Sequence, residues 1–125
     1  MQLKEFKIES HRRKPPALRI NGQSNILTFT KSSTEFLNLE TDDLVKVFQD
    51  ADDPKTWYFQ INKVDGFKLR KHTFEDVFMF ARKQLVVKMF YSLGLSPSGK
   101  SVLFEIGDPE IFDGSTYYKL IPQTN

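Results

Sequence analysis

The chain has 125 residues, of which 39% are hydrophobic and 27% charged, with 12 Phe and a net charge of +2. That is enough apolar surface for one domain, or for two small halves packed closely together. No apolar run approaches the ~18 residues of a membrane-spanning helix. The opening "MQLKEFKIES" lacks the apolar core of an export signal, so the expectation is a soluble, cytoplasmic protein with no membrane partner. Cysteine is absent and histidine occurs only as His11 and His72. Disulfides, thiolate metal sites and a Cys nucleophile are thereby excluded, and a His-rich site has little to draw on.

Charge is distributed in blocks. Residues 1–20 and 66–91 are basic, whereas residues 21–65 and 92–125 are acidic. In chain order, "HRRKPP" (11–16) is a basic arm that Pro15-Pro16 keeps out of regular pairing. "ALRI" (17–20) is a predicted strand, and Asn21-Gly22 within "NGQS" is a hairpin turn signal. "NILTFT" (25–30) alternates, with Leu27 and Phe29 on one face. Residues 31–38 form a short predicted helix capped by Ser32 or Ser33, with Phe36 and Leu37 facing inward. "LVKVFQ" (44–49) and "TWYFQIN" (56–62) are predicted strands around the polar turn "DADDPK". "FKLR" (67–70) and "VFMFA" (77–81) follow as strands, then a helix over 82–93 with Leu85, Met89 and Leu93 on one face. "SVLFEI" (101–106) and "TYYKLIP" (116–122) close the chain as a hairpin across "GDPEIFDGS".

The order repeats. Leu37, Leu39 and Phe48 match Leu93, Leu95 and Phe104; "NILTFTK" (25–31) matches "DVFMFAR" (76–82); Leu18-Arg19 matches Leu69-Arg70. Such self-similarity marks a duplicated unit. The expected architecture is a β-rich α+β protein of two hairpin–helix–hairpin units, 17–65 and 66–125, forming one compact domain behind an arm at 1–16.

"GLSPSGKS" (94–101) fits the G-x-x-x-x-G-K-[ST] pattern of a phosphate-binding loop. A working loop of that kind follows a buried strand and opens a helix, whose N-terminus holds the phosphates. Here a helix precedes Gly94 and an alternating segment follows Lys100, so the reading favoured is a helix end and a turn. Asp42, Asp43, Asp50, Asp52 and Asp53 lack the spacing of a calcium loop and read as solvated turns. No Ser has a local base, so no catalytic residue, cofactor or metal is expected and the chain does not read as an enzyme.

The segment "LRINGQSNILTFTKSSTEFLNLETDDLVKVF" (18–48) resembles the AbrB-like swapped-hairpin domain of transition-state regulators and antitoxins. The likeness lies in Arg19 and Gly22, in Leu27 and Phe29, in Leu37-Asn38-Leu39 for the family's "LGL", and in Asp42-Asp43-Leu44-Val45 for its "GDxV" turn. Leu93-Gly94-Leu95 repeats "LGL" in the second half. Thr30 or Lys31 stands where the family has Pro, and Asp42 stands for the Gly of "GD". The second half also has a longer helix. The resemblance implies a pseudo-two-fold swapped-hairpin barrel built from one chain. It also implies a non-enzymatic, regulatory DNA-binding function carried by Arg19, with Arg12, Arg13 and Lys14 leading in and Arg70 and Lys71 as counterparts. Gln23 and Asn25 in the turn are candidates for further base or phosphate contacts.

The opposing reading of "HRRKPP" is a solvated arm. The other functional class is a protein-interaction or assembly module, with a protein partner or a second copy of the chain. There the aromatic strands around Trp57, Tyr58, Phe59, Tyr117 and Tyr118 would join a partner's sheet; the plainer role of those side chains is core and cross-strand packing. For the loop at 94–101, equilibrium dialysis is expected to give Lys100→Ala the same ATP retention as the wild type. Affinity present in the wild type and lost in the variant would overturn that.

Overall fold

A computed structural model describes residues 15–123. The elements run β1 (Ala17–Asn21), β2 (Ile26–Phe29), α1 (Lys31–Leu37), β3 (Leu44–Gln49), β4 (Trp57–Asn62), β5 (Phe67–Lys68), β6 (Arg70–Lys71), β7 (Phe78–Ala81), α2 (Lys83–Ser92), β8 (Ser101–Phe112) and β9 (Ser115–Pro122). All nine strands belong to one antiparallel sheet in the order β5-β3-β4-β9-β8-β1-β2-β7-β6. Its two outer strands are adjacent in sequence, so the sheet curls into a nearly closed barrel. Among the described residues no helix is long and apolar enough to cross a membrane.

Alternation in the sequence becomes inside and outside. Leu18 and Ile20 of β1, Leu27 and Phe29 of β2, and Phe78 and Phe80 of β7 are buried, while Arg19 is exposed. Phe29 meets Phe59 of β4 across the interior at 5.3 Å between ring centroids, and Phe59 stacks on Tyr118 of β9 at 5.2 Å. Each such side chain, taken wholly from water, contributes about 1.5–3 kcal/mol. From α2, Val86, Met89 and Phe90 enter the core. The helix is tied to β4 by Trp57, whose indole N–H donates to Ser92 Oγ at 2.9 Å, and Ser92 in turn donates to the Met89 carbonyl.

Both helices end alike. Asn38 (φ 53°) and Gly94 (φ 75°) are left-handed. In each case the following residue's N–H reaches back to the last turn: Leu39 to the Thr34 carbonyl and Leu95 to the Phe90 carbonyl. This is the Schellman closure. Gly94–Lys100 is thus a helix end and turn leading into β8, with no helix following. Gly22 sits so close to the Pro97 carbonyl that a Cβ there would collide with it, and the Gly22 N–H bonds the Lys100 carbonyl.

Several local expectations are corrected. Phe36 is 44% exposed, touching Tyr118 by its edge, because α1 turns only Ser33 and Thr34 fully inward. Ser33 is no helix cap: the N-cap is Thr30, with no side-chain cap bond, and Ser33 points to β1. Asn21 ends β1, and the left-handed residue of the first turn is Asn25 (φ 61°), not Gly22. The span 107–115 is not a loop. β8 and β9 continue through it to a tight turn at Asp113-Gly114, with a register shift between Ile106 and Pro109. Both turn residues have positive φ, as a two-residue primed hairpin turn requires.

Asp43 is not solvated either, being 2% exposed. Its Oδ2 accepts the Glu40 N–H at 2.8 Å, and its Oδ1 pairs with the Lys63 ammonium. Asp42 before it has φ 79°, a conformation Gly adopts freely and Asp tolerates. Hydrogen bonding to Asp43, and secondarily to Glu40, holds the Lys63 pKa above the ordinary lysine value. A cation whose pKa is raised by folding stabilises fully below its unfolded pKa and loses that contribution as pH rises through the folded one. Wild type is therefore expected to be more stable to urea than Lys63→Met at neutral pH. The gap should stay constant up to about pH 10 and close above ~10.4. A gap independent of pH would refute the pairing.

Candidate nucleic-acid interface

Arg19 on β1 pairs with Thr28 on β2, Thr28 with Met79 on β7, and Met79 with Arg70 on β6. Directly paired residues in an antiparallel ladder share a face. Arg19 and Arg70 therefore lie in one row on the outer face, separated by three strand spacings, or about 14 Å. Lys71 pairs with Phe78, whose side chain is in the core, so it lies on the alternate side from Arg70; its ammonium is 3.9 Å from Asp76. The two neighbours "RK" are thus split, and Arg70 alone joins Arg19.

The turn carrying Gln23 and Asn25 is built by Asn21, whose Oδ1 accepts the N–H groups of Gln23 and Ser24. The Asn25 carbonyl accepts the Arg82 N–H at 3.1 Å, which sets this turn beside the start of α2. Gln23 is exposed and Asn25 half-buried. Arg12, Arg13 and Lys14 lie outside the described residues.

Two clefts flank the row. One, of ≈ 490 Å³, is lined by Pro15, Ala17, Arg19, Thr30 and Lys31, with Glu105 and Gln123 on its other wall. The second, of ≈ 240 Å³, is lined by Gly66, Lys68, Arg70, Ala81 and Arg82 over Phe67 and Phe80. The chain thus adds two cations to those legible in the sequence, Lys31 and Arg82, both placed where a strand hands over to a helix. Their signal was present: each ends one of the two similar segments, "NILTFTK" and "DVFMFAR".

The acidic residues show no comparable convergence. Among the described residues no group of three or more acidic or His side chains is placed to hold a metal. Asp50 and Asp53 brace the β3–β4 turn, accepting from the Asp52 N–H and the Thr56 hydroxyl respectively, and the Thr56 bond lowers the Asp53 pKa. The aromatic strands are internal to the sheet. β4 is flanked by β3 and β9, and Trp57 and Phe59 are buried. Neither a family model, nor a curated protein, nor a solved structure matches the chain.

The first cleft is shaped by a buried hydroxyl. Ser33 Oγ donates to the Ala17 carbonyl at 2.6 Å and accepts the Ala17 N–H at 2.7 Å. With that proton committed, the Thr30 hydroxyl is the donor in its 2.9 Å contact with Ser33. Thr30 also uses its own N–H on the Ala17 carbonyl, a bond that Pro at this position would lack. These bonds fix the start of α1, and with it Lys31, against β1. Ser33→Ala takes the partner from the buried Ala17 N–H, while the Ala17 carbonyl keeps the Thr30 N–H, and is expected to lower unfolding free energy by about 1–3 kcal/mol in urea titration. Wild-type stability in that variant would show the bonds to be inconsequential.

Proposed function

We propose that this protein is a non-enzymatic, regulatory DNA-binding protein that contacts duplex phosphates through the outer face of β1, β2, β7 and β6. The observation that carries the reading is the row Arg19–Thr28–Met79–Arg70. Two exposed arginines rooted on strands about 14 Å apart along the sheet are on the scale of a ~12 Å major groove. Cations on one face displace condensed counterions from DNA, so the affinity falls with salt.

The AbrB-like resemblance belongs to the same proposal, as does a pseudo-two-fold, swapped-hairpin arrangement of the two halves. Three features support it. Thr28 pairs with Met79, the residue 51 positions later, which is the spacing between the similar segments 25–31 and 76–82. The β1–β2 register, Arg19 opposite Thr28, recurs at the same spacing as Arg70 opposite Met79. Each half also lends a strand to the other, since β1 lies beside β8 and β5 beside β3.

A protein-interaction role is the second reading, favoured by Ile111 (80% exposed) and Phe112 (74%) near the tip of the β8–β9 hairpin. The two separate in a fluorescence titration of a mixed-sequence duplex at roughly 50 and 200 mM salt. Micromolar or tighter binding at the lower salt is expected, weakening at least about tenfold at the higher. Arg19→Glu combined with Arg70→Glu is expected to abolish it with the melting temperature unchanged, because both side chains are exposed. An absence of binding at low salt would end the DNA reading.

A further inference from the structure

The two clefts beside the arginine row are counterparts. Pro15, Ala17, Arg19, Thr30 and Lys31 line the first; Gly66, Lys68, Arg70, Ala81 and Arg82, each 51 positions later, line the second. Each cleft therefore sets an Arg from a strand against a cation at a helix entry: Arg19 with Lys31, the first residue of α1, and Arg70 with Arg82, the N-cap of α2.

The second cleft goes further. Lys68 replaces Ala17, giving three cations around ≈ 240 Å³, and no carboxylate lines it. None of Lys68, Arg70 and Arg82 forms an ion pair among the described residues. The Arg82 guanidinium lies 5.1 Å over the Phe67 ring, and Phe67 stacks on Phe80 at 5.3 Å with 11° between planes. That stacking holds one fork of donors in place before any ligand arrives. Three like charges crowded together repel one another, and an anion between them relieves the repulsion. The first cleft is weaker on the same grounds, because it has two cations and Glu105 in its wall.

We infer that the Gly66–Arg82 cleft is an oxyanion pocket for a single phosphate group, held by Arg70 and Arg82 with Lys68 at its side. The Pro15–Lys31 cleft is its lower-affinity counterpart. As a site for a DNA phosphodiester this rests on the function proposed above; as a site for a free phosphate compound it does not.

The test is a titration of the full chain with inorganic phosphate at constant ionic strength, followed by the arginine Nε–H resonances in ¹⁵N NMR. Arg70 and Arg82 are expected to shift together and saturably, with a dissociation constant on the order of 1–10 mM. Arg19 should follow only at several-fold higher concentration. Arg82→Gln is expected to weaken the response at Arg70 about tenfold, as is Lys68→Gln should the first variant fold poorly. Linear shifts of similar size at every arginine would overturn the pocket.

Duplex DNA, titrated into the same variants, separates the ligand sources. Saturable phosphate binding without duplex binding leaves the pocket standing, assigns it to a free phosphate compound and removes the DNA function. Duplex binding that Arg82→Gln leaves unchanged, with no saturable phosphate response, removes the pocket and keeps the DNA function.

Discussion

The barrel depends on one five-residue span, β5 and β6 joined by Leu69, that serves two partners. Phe67 and Lys68 pair with β3, Arg70 and Lys71 pair with β7, and Leu69 between them is buried and donates its N–H to the Asp43 carbonyl. Without this span the sheet would have two open edges, each a row of unpaired backbone groups. Asp43 is the anchor of the closure. Its backbone receives Leu69, and its buried carboxylate holds the Glu40 N–H and the Lys63 ammonium. A buried carboxylate is costly unless paired, so both partners are needed for the turn to keep its shape.

Closure also decides what the outer surface presents. Once β6 is drawn beside β7, Arg70 is carried into line with Arg19, although the two are far apart in sequence. The same step places Gly66, Lys68 and Arg70 around Arg82. Gly66 approaches the Val45 carbonyl so closely that a Cβ would come within 2.6 Å of it, and its φ of 136° suits only glycine. The basic cleft and the barrel seam are thus one construction, and any side chain at Gly66 disturbs both.

Much of this was legible in the residues. Alternation in 25–30 set Leu27 and Phe29 on one face, and alternation in 44–49 marked a strand, because a strand has a period of two; the structure buries Leu27, Phe29 and Val45. The two "LxL" segments marked the helix ends, and the left-handed Asn38 and Gly94 between their leucines show why those residue types stand there. Other features were present but outweighed. Asp113-Gly114 carried the primed-turn signal within the span 107–115, which read as the connection between two shorter strands. Phe36 read as core on hydrophobicity alone, yet a seven-residue helix has only one short inward face, and Ser33 and Thr34 occupy it.

By itself, the sequence determined the order and type of nearly every element and the ends of both helices. These follow from local rules: periodicity, turn chemistry and glycine or asparagine at positive φ. Only the tertiary structure decided that Ser33 is a bridge to Ala17, that Asp43 is buried against Lys63, and that Lys31 and Arg82 complete two clefts. Each of these is a relation between residues distant in the chain, set by strand register and barrel closure. Local turn signals name the hairpin partners, but no local pattern specifies which hairpin will lie beside which.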